Sequence, residues 1–271
     1  MSTLYLVPTP IGNLEDITLR ALRVLREVAL IAAEDTRTSA KLLQHYDIQT
    51  PLTSYHEYNK ITKAEAIFDL LKAGKDVALI ADAGTPTISD PGYELVSLAL
   101  KAGVKVVPLP GASALLCALA GSGLPTDSFA YFGFLPRKTS ALHDLLTEIA
   151  PLRQTLIFYE SPNRLVESLY ALREVLGDRQ AVVARELSKY YEEFQRDTLS
   201  KLIDHYEGYP PKGEITLLVA GHTQTPTAWS EEEVRLALRT RLAKGEKRST
   251  AAKNLAQESG WDRRALYDLE L

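Results

Sequence analysis

Cysteine is almost missing from this chain. Cys117 stands alone among 271 residues, so no internal disulfide can form, which suits a reducing cytosol. No apolar run approaches the ~20 residues of a membrane helix. The opening MSTLYLVPTP has no basic segment followed by a long apolar core, so no secretory signal is expected. The glycine fingerprints G-x-G-x-x-G and G-x-x-x-x-G-K-[ST] are both missing, which disfavours a classical dinucleotide or P-loop site. Without H-E-x-x-H or a cysteine pair, a zinc site has no visible support, and no G-x-S-x-G elbow is present. His56 beside Glu57 is isolated by spacing and reads as a surface or interface pair rather than a metal ligand. A net charge of −4 argues against a wholly basic nucleic-acid coat and leaves room for a local basic patch.

What remains is ordinary globular material, 45% hydrophobic and 24% charged, at a length that suits two domains. Short apolar runs alternate with amphipathic helices. Strands are expected at Leu4–Val7, Leu30–Ala33, Val77–Ala81, Val104–Val107, Leu156–Tyr159, Ala181–Ala184 and Ile215–Ala220. Between the first two, Leu19, Leu22, Leu25 and Val28 recur on one helical face, with Asp16 as the expected cap. Further helices are expected over Asn59–Lys72, ended by Gly74, and Tyr93–Lys101, ended by Gly103. This pattern predicts an α/β fold with largely parallel strands. A seam runs through Pro108–Pro125, where the loop PLPGAS leads into the short apolar helix ALLCALAGSGLP. Thr223–Ala228 reads as a polar linker before a small helical appendage.

Polar loops follow the strands at one edge: TPIGN, EDTR (Glu34 to Arg37), DAGTPTISDPG (Asp82 to Gly92), PLPGAS, ESPNR (Glu160 to Arg164) and RELSK (Arg185 to Lys189). In open α/β sheets, ligands bind outside the carboxyl ends of the strands. Each loop also has a local explanation. TPIGN and DAGTP make good turns. Asp82 could equally accept a hydrogen bond from a ligand amine or hydroxyl, with Gly84 allowing close backbone approach. GAS at 111–113 serves close helix packing or leaves room for an adenine ring. Ser161 and Pro162 fit the N-cap and first turn of a helix beginning near Asn163. RELSKYYEEF fits an exposed charged turn.

Taken in order, TPIGNL, EDTR, DAGTP…SDPG and ESP.R resemble the tetrapyrrole methylase superfamily, the class III S-adenosylmethionine-dependent methyltransferases. Within it the chain looks like the ribosomal RNA small-subunit methyltransferase I family. The carrying segments, which include FYESPNRL, ARELSKYYEEF and KGEITLLVAG, span residues 4–221. The resemblance implies two α/β domains with the cofactor cleft between them, placed at 1–112 and 113–224, and a small helical module at 225–271. It further implies methyl transfer from S-adenosylmethionine to the 2′-hydroxyl of a cytidine in the decoding region of 16S ribosomal RNA, by a cytoplasmic homodimer working on the small ribosomal subunit. Tetrapyrrole-methylating relatives often carry a G-x-G-x-G-type first loop, and Pro8-Thr9-Pro10-Ile11-Gly12-Asn13 departs from it toward the RNA branch.

The resemblance and the strand-edge argument together nominate Pro8, Asp82, Gly84, Thr85, Ala112, Ser113, Tyr159, Leu187, Glu214 and Ile215 for the cofactor. Catalytic candidates are Asn13, Glu34, Asp35, Arg37, Glu160, Arg164, Arg185, Glu186 and Lys189. An acid beside an arginine could orient a ribose while the arginine holds a phosphate. No metal is expected. Two other readings stay open: a methylase of the same fold acting on a tetrapyrrole or other small acceptor, and a non-enzymatic RNA-binding or ribosome-assembly protein.

Residues 230–271 read as two or three helices, opened by a Ser230–Glu233 capping box. Arg235, Arg239, Arg241, Lys244, Lys247, Arg248 and Lys253 concentrate positive charge there. The helix–Gly-turn–helix cadence suits a small RNA-docking module, or else a solvated extension or dimer contact.

Overall fold

Parallel pairing organises the first part of the chain. The computed structural model describes residues 2–56, 60–223 and 229–269. Strands β1 (Thr3–Leu6), β2 (Leu30–Ala33), β3 (Leu52–Ser54), β4 (Val77–Ile80) and β5 (Lys105–Pro108) form a sheet in the order β3-β2-β4-β1-β5. Every neighbouring pair in it is parallel. Helices α1 (Leu19–Glu27), α2 (Thr36–His45), α3 (Lys60–Lys72) and α4 (Tyr93–Lys101) lie along the connections. Alternation along the strands feeds two cores. Ile31, Ala33, Ala78 and Ile80 pack with Val24, Leu25, Leu42 and Leu43 of α1 and α2. Leu4, Ala32 and Leu79 face the other way, against Ile67, Leu71, Leu95 and Ala99 of α3 and α4.

The expected cap of the first helix is corrected. The chain after Asn13 makes a 3-10 turn, Leu14–Asp16, and passes through extended Ile17 before α1 begins. Thr18 is the residue that caps α1, its Oγ1 accepting from Ala21 N at 3.0 Å. Asp16 instead accepts a hydrogen bond from Ser188 Oγ, far along the chain. The helix anticipated at Asn59–Lys72 is described from Lys60, and its end at Gly74 has the left-handed φ of +81°.

The second sheet departs from the parallel expectation. It contains β6 (Phe129–Phe134), β7 (Thr155–Glu160), β8 (Gln180–Arg185), β9 (Glu193–Thr198) and β10 (Ile215–Val219), in the order β6-β7-β10-β8-β9. Only β6 and β7 pair in parallel. β10 runs antiparallel between β7 and β8, and β8 folds back on β9 through a short connection that permits only antiparallel pairing. Helices α6 (Thr139–Ile149), α7 (Leu165–Leu176) and α8 (Leu199–Gly208) cover one face around Phe158, Leu169 and Leu217. Helix α5 (Ala114–Ser122) covers the other, where Leu115, Ala118 and Leu119 meet Ile157, Val182 and Leu218. Ile11, from the loop after β1, is buried in this same cluster. The start of α7 is a second correction: Ser161 begins a turn, closed by Arg164 N donating to Ser161 O at 3.1 Å, and the helix starts at Leu165 without a side-chain cap.

Two compact units result, Met1–Gly221 and His222–Leu271. The second holds α9 (Glu231–Ala243), α10 (Arg248–Ser259) and α11 (Arg263–Asp268) around Val234, Leu238, Ala252, Leu255 and Leu266. The Ser230–Glu233 capping box is formed, and Gly260 ends α10 at a left-handed φ of +70°. Part of the expected basic surface is engaged internally. Arg241 pairs with Glu258 at 2.6 Å, and Arg248 donates to the carbonyls of Tyr267 and Leu269. The expected linker lies outside the described residues apart from Thr223, as does Glu57.

Candidate active site

The loops after β1, β4 and β5 are fastened to one another. Thr9 and Gly84 exchange backbone hydrogen bonds, each 2.9 Å, and Thr9 Oγ1 donates to Ala81 O at 3.0 Å. Thr85 Oγ1 donates to Ala112 O at 3.1 Å. Gly111 lies so close to Pro8 that a Cβ there would sit 2.6 Å from the Pro8 Cβ. These contacts explain the prolines and glycines of TPIGN, DAGTP and PLPGAS: rigid backbone on one side, no side chain on the other. Two non-glycine residues of the β4 loop, Thr87 and Ser89, hold left-handed φ values of +74° and +63°. Such conformations cost energy and concentrate where a loop must aim its side chains.

Facing these loops are the ends of β7 and β8 and the start of β10. Antiparallel insertion places the beginning of β10 beside the ends of both neighbours, so Gly213 to Thr216 complete the wall with Tyr159, Glu160, Ala184 and Leu187. Between the two sheets lies a cleft of about 350 Å³. A second cavity of about 270 Å³, reaching Thr38, Lys41, Asp82 and Lys189, adjoins it at Ile11, Ala83 and Glu214, which line both. Tyr131 ties the sheets together, its hydroxyl 2.6 Å from Ser89 Oγ and its ring edge-to-face with Tyr159 at 5.2 Å.

Carboxylates dominate the electrostatics. Asp90 lines the cleft, half-buried, and its pKa is pushed up to about 7 by desolvation, then by the charges of Glu34 and Asp82. Burial and Asp82 also raise Glu34, and burial raises Asp82. Among the described residues no donor hydrogen-bonds the Asp90 carboxylate. Asp35 behaves differently: hydrogen bonds from Arg37 hold it down at about 2. Burial raises the Tyr159 phenol, with the Tyr131 hydroxyl as the next cause, so it stays protonated.

Of the nominated cofactor residues, Gly84, Thr85, Ser113, Tyr159, Leu187, Glu214 and Ile215 line the main cleft. Pro8 and Ala112 stand behind that wall through Gly111 and Thr85, and Asp82 lines the adjoining cavity. The catalytic candidates divide more sharply. Glu160 reaches the cleft, yet its carboxylate is buried and accepts from Ser161 N at 2.7 Å and Ser168 Oγ at 2.6 Å, with Arg164 at 3.5 Å. Arg164 itself donates to the carbonyls of Leu135 and Pro136. Asn13 caps the 3-10 turn, its Oδ1 accepting from Glu15 N. Arg37 is spent on Asp35, and Arg185 on Glu193 and the Lys212 carbonyl. Lys189 bridges Glu186 and Glu214 at 2.8 and 2.9 Å. Asp35 N donates to Asp82 Oδ1 at 3.0 Å, and Glu34 alone of this group acts on Asp90. Asp90 was not anticipated. Its signal was the tripeptide Asp90-Pro91-Gly92 in the same loop as Asp82, which reads locally as a turn.

Residues 3–203 match the family model described as Tetrapyrrole (Corrin/Porphyrin) Methylases. The chain belongs to this family, whose members are methyltransferases that use S-adenosylmethionine. It is 48% identical to the ribosomal RNA small subunit methyltransferase I of Synechocystis sp., an alignment covering 100% of this chain and 98% of that protein. With the protein of the same name from Halalkalibacterium halodurans it shares 46% identity over 98% of this chain and 94% of the relative. Its place in the family is therefore the ribosomal RNA small subunit methyltransferase I branch. A crystal structure of diphthine synthase shares the fold, with a TM-score of 0.65 at 18% identity over 82% of this chain and 91% of that one.

The cleft fits S-adenosylmethionine. Its volume lies within the range of small-ligand sites, roughly 300–1,000 Å³. Ile11, Ala114, Leu187 and Ile215 offer apolar walls, and Thr85, Ser113 and Thr216 offer polar groups. Among the described residues that line it there is no lysine or arginine, while Asp90 and Glu214 are present. That set of charges suits a sulfonium cation and opposes a pyrophosphate.

Proposed function

We propose that this chain methylates ribosomal RNA with S-adenosylmethionine, at the 2′-hydroxyl of a cytidine in the decoding region of 16S RNA. The RNA substrate is supported by relatives that match nearly the whole chain and are named for it. The cytidine, its position and the 2′-oxygen rest on the family resemblance. The observation that carries the chemistry is Asp90, an unpaired acid in the wall of a cleft that otherwise has the character of a cofactor site. The reading includes the small ribosomal subunit as partner, a homodimer and a cytosolic setting. Among the described residues no helix is long and apolar enough to cross a membrane.

When bound, the cofactor supplies an electrophilic methyl with a neutral thioether as leaving group. Thr85, Ser113, Tyr159, Leu187, Glu214 and Ile215 would hold it in the cleft they line. The remaining chemical need is a destination for the ribose hydroxyl proton. Asp90 provides it: the O–H bond breaks and the proton passes to a carboxylate oxygen. Desolvation, and then repulsion by Glu34 and Asp82, make that carboxylate a better proton acceptor than an ordinary aspartate. Ser89 and Tyr131 brace the loop that carries it. Most of the acceleration comes from alignment, because the donor needs no activation.

Competition between acceptors tests the reading. Methyl-labelled cofactor offered with both undermethylated small subunits and a tetrapyrrole should label the RNA alone. Label in the tetrapyrrole alone would transfer the chain to the small-acceptor reading, and no transfer to either would leave a non-enzymatic role.

A further inference from the structure

The connection between β8 and β9 displays two consecutive tyrosines that the chemistry above does not use. Tyr190 is 93% exposed and Tyr191 is 69% exposed. Their rings meet each other edge-to-face at 4.9 Å. Two large rings standing in water gain little from folding, and paired exposed aromatics mark a surface that something else covers.

The loop that carries them is firmly held. Glu186 and Ser188 take left-handed φ values of +52° and +65°. Glu186 N donates to Glu214 O, Lys189 N to Glu186 O and Glu192 N to Lys189 O, all within 3.1 Å. Ser188 N donates to Glu192 Oε2 at 2.7 Å, and Ser188 Oγ donates to Asp16. The Lys189 ammonium is pinned by Glu186 and Glu214, and its stem lies across Gly12, where a Cβ would come within 2.4 Å of Lys189 Cγ. The tip is thus clamped to the loop after β1 and to the start of β10. Lys189 and Glu214 both line the cavity that adjoins the cleft, so the rings directly follow a residue of its wall.

We propose that Tyr190 and Tyr191 form a stacking platform for unpaired bases of the RNA strand whose ribose enters the cleft, the nucleotides next to the methylated one. This rests on the RNA reading above. Bases in a duplex hide their faces, whereas a strand entering a narrow cleft exposes them, and tyrosine rings take any base by its π-face. The surroundings favour bases over phosphates. Glu192 follows the pair directly, and the Lys189 charge is already neutralised. The platform's share of affinity is therefore insensitive to salt, unlike contacts to the RNA backbone.

The test uses the full chain with Tyr190→Ala/Tyr191→Ala and Tyr190→Phe/Tyr191→Phe. Binding of a cytidine-rich single-stranded RNA decamer is measured by fluorescence anisotropy at two salt concentrations. Methyl transfer to small subunits, cofactor affinity and sedimentation are followed in parallel. The alanine pair is expected to weaken decamer binding by about 5- to 150-fold, the effect of one stacked base, in the same ratio at both salts. It should raise KM for the subunit with kcat and cofactor affinity unchanged, while the phenylalanine pair stays near wild type. Decamer binding unchanged in the alanine pair overturns the platform, and so does equal loss in the phenylalanine pair. Conversion of a wild-type dimer to a monomer by the alanine pair would also overturn it, assigning the rings to a second copy of the chain. If the alanine pair methylates subunits with an unchanged KM, the platform fails and the RNA reading stands. If the wild type labels no RNA, that reading fails and takes the platform with it.

Discussion

In the proposed mechanism Asp90 is the residue on which the chemistry turns, and its environment sets two outcomes. With a pKa of about 7 in the free protein, its carboxylate form predominates only above that pH, so kcat/KM should rise with pH and reach half its plateau near 7. Asp90→Asn should lower kcat by roughly 10²-fold or more and abolish that rise, as pH-rate profiles would show. Stability should respond in the opposite sense. The folded protein binds a proton at Asp90 up to about pH 7, while the unfolded chain releases it near the ordinary value of 3.8. Wild-type stability therefore falls as pH rises through that window. Asparagine carries no charge to desolvate, so the variant should melt above the wild type at pH 8, and the difference should fade toward pH 4. A lower melting temperature for the variant at pH 8 would show that the carboxylate has partners in solution. The sequence disclosed the loop that carries Asp90 and chose Asp82 within it. Deeper burial of Asp90, and the hydrogen bond that Asp82 alone of the two accepts from Asp35 N at 3.0 Å, separate the two acids, and neither is written in local order.

Among the elements, strands inside the sheets were legible, and of the four edge strands only β5 was. β2, β4, β7, β8 and β10 are apolar runs because both of their faces are covered. The strands that escaped notice, β3, β6 and β9, all lie at sheet edges. β9 reads EFQRDT and β3 is only LTS, too polar or too short to stand out. Helix starts were misplaced for a different reason. Asp16 and Ser161 are good capping residue types, but each lies in a turn just before the helix proper. Thr18→Ala should therefore cost about 1 kcal/mol and lower Tm by roughly 2–4 °C. Asp16→Ala should leave α1 intact and release Ser188 and the loop beside it, seen as faster amide exchange at Ser188 and Lys189. Equal loss of helix α1 in both variants would contradict this assignment of the cap.

At the scale of the whole molecule, the α/β alternation and the gathering of loops at strand ends were visible in the sequence, because both follow from local periodicity. The mixed pairing of the second sheet was not, since β10 joins β7 and β8 across long stretches of chain. His222–Leu271 has its own apolar core, so a chain ending at Gly221 should fold and keep its affinity for the cofactor. If the helical unit docks RNA, through Arg239, Lys244, Lys247 and Lys253 among its cations, the shortened chain should bind small subunits more weakly and with a shallower salt dependence. Parallel loss of cofactor affinity would point to a folding role instead. The central claim, that the cleft directs a methyl to a ribose oxygen of RNA, is tested most directly by nucleoside mass spectrometry. Small subunits from a strain lacking this enzyme are incubated with the purified protein and labelled cofactor, and the RNA is digested. A single new species is expected, 2′-O-methylcytidine from the decoding region. A methyl on a base, or RNA without label, would contradict it.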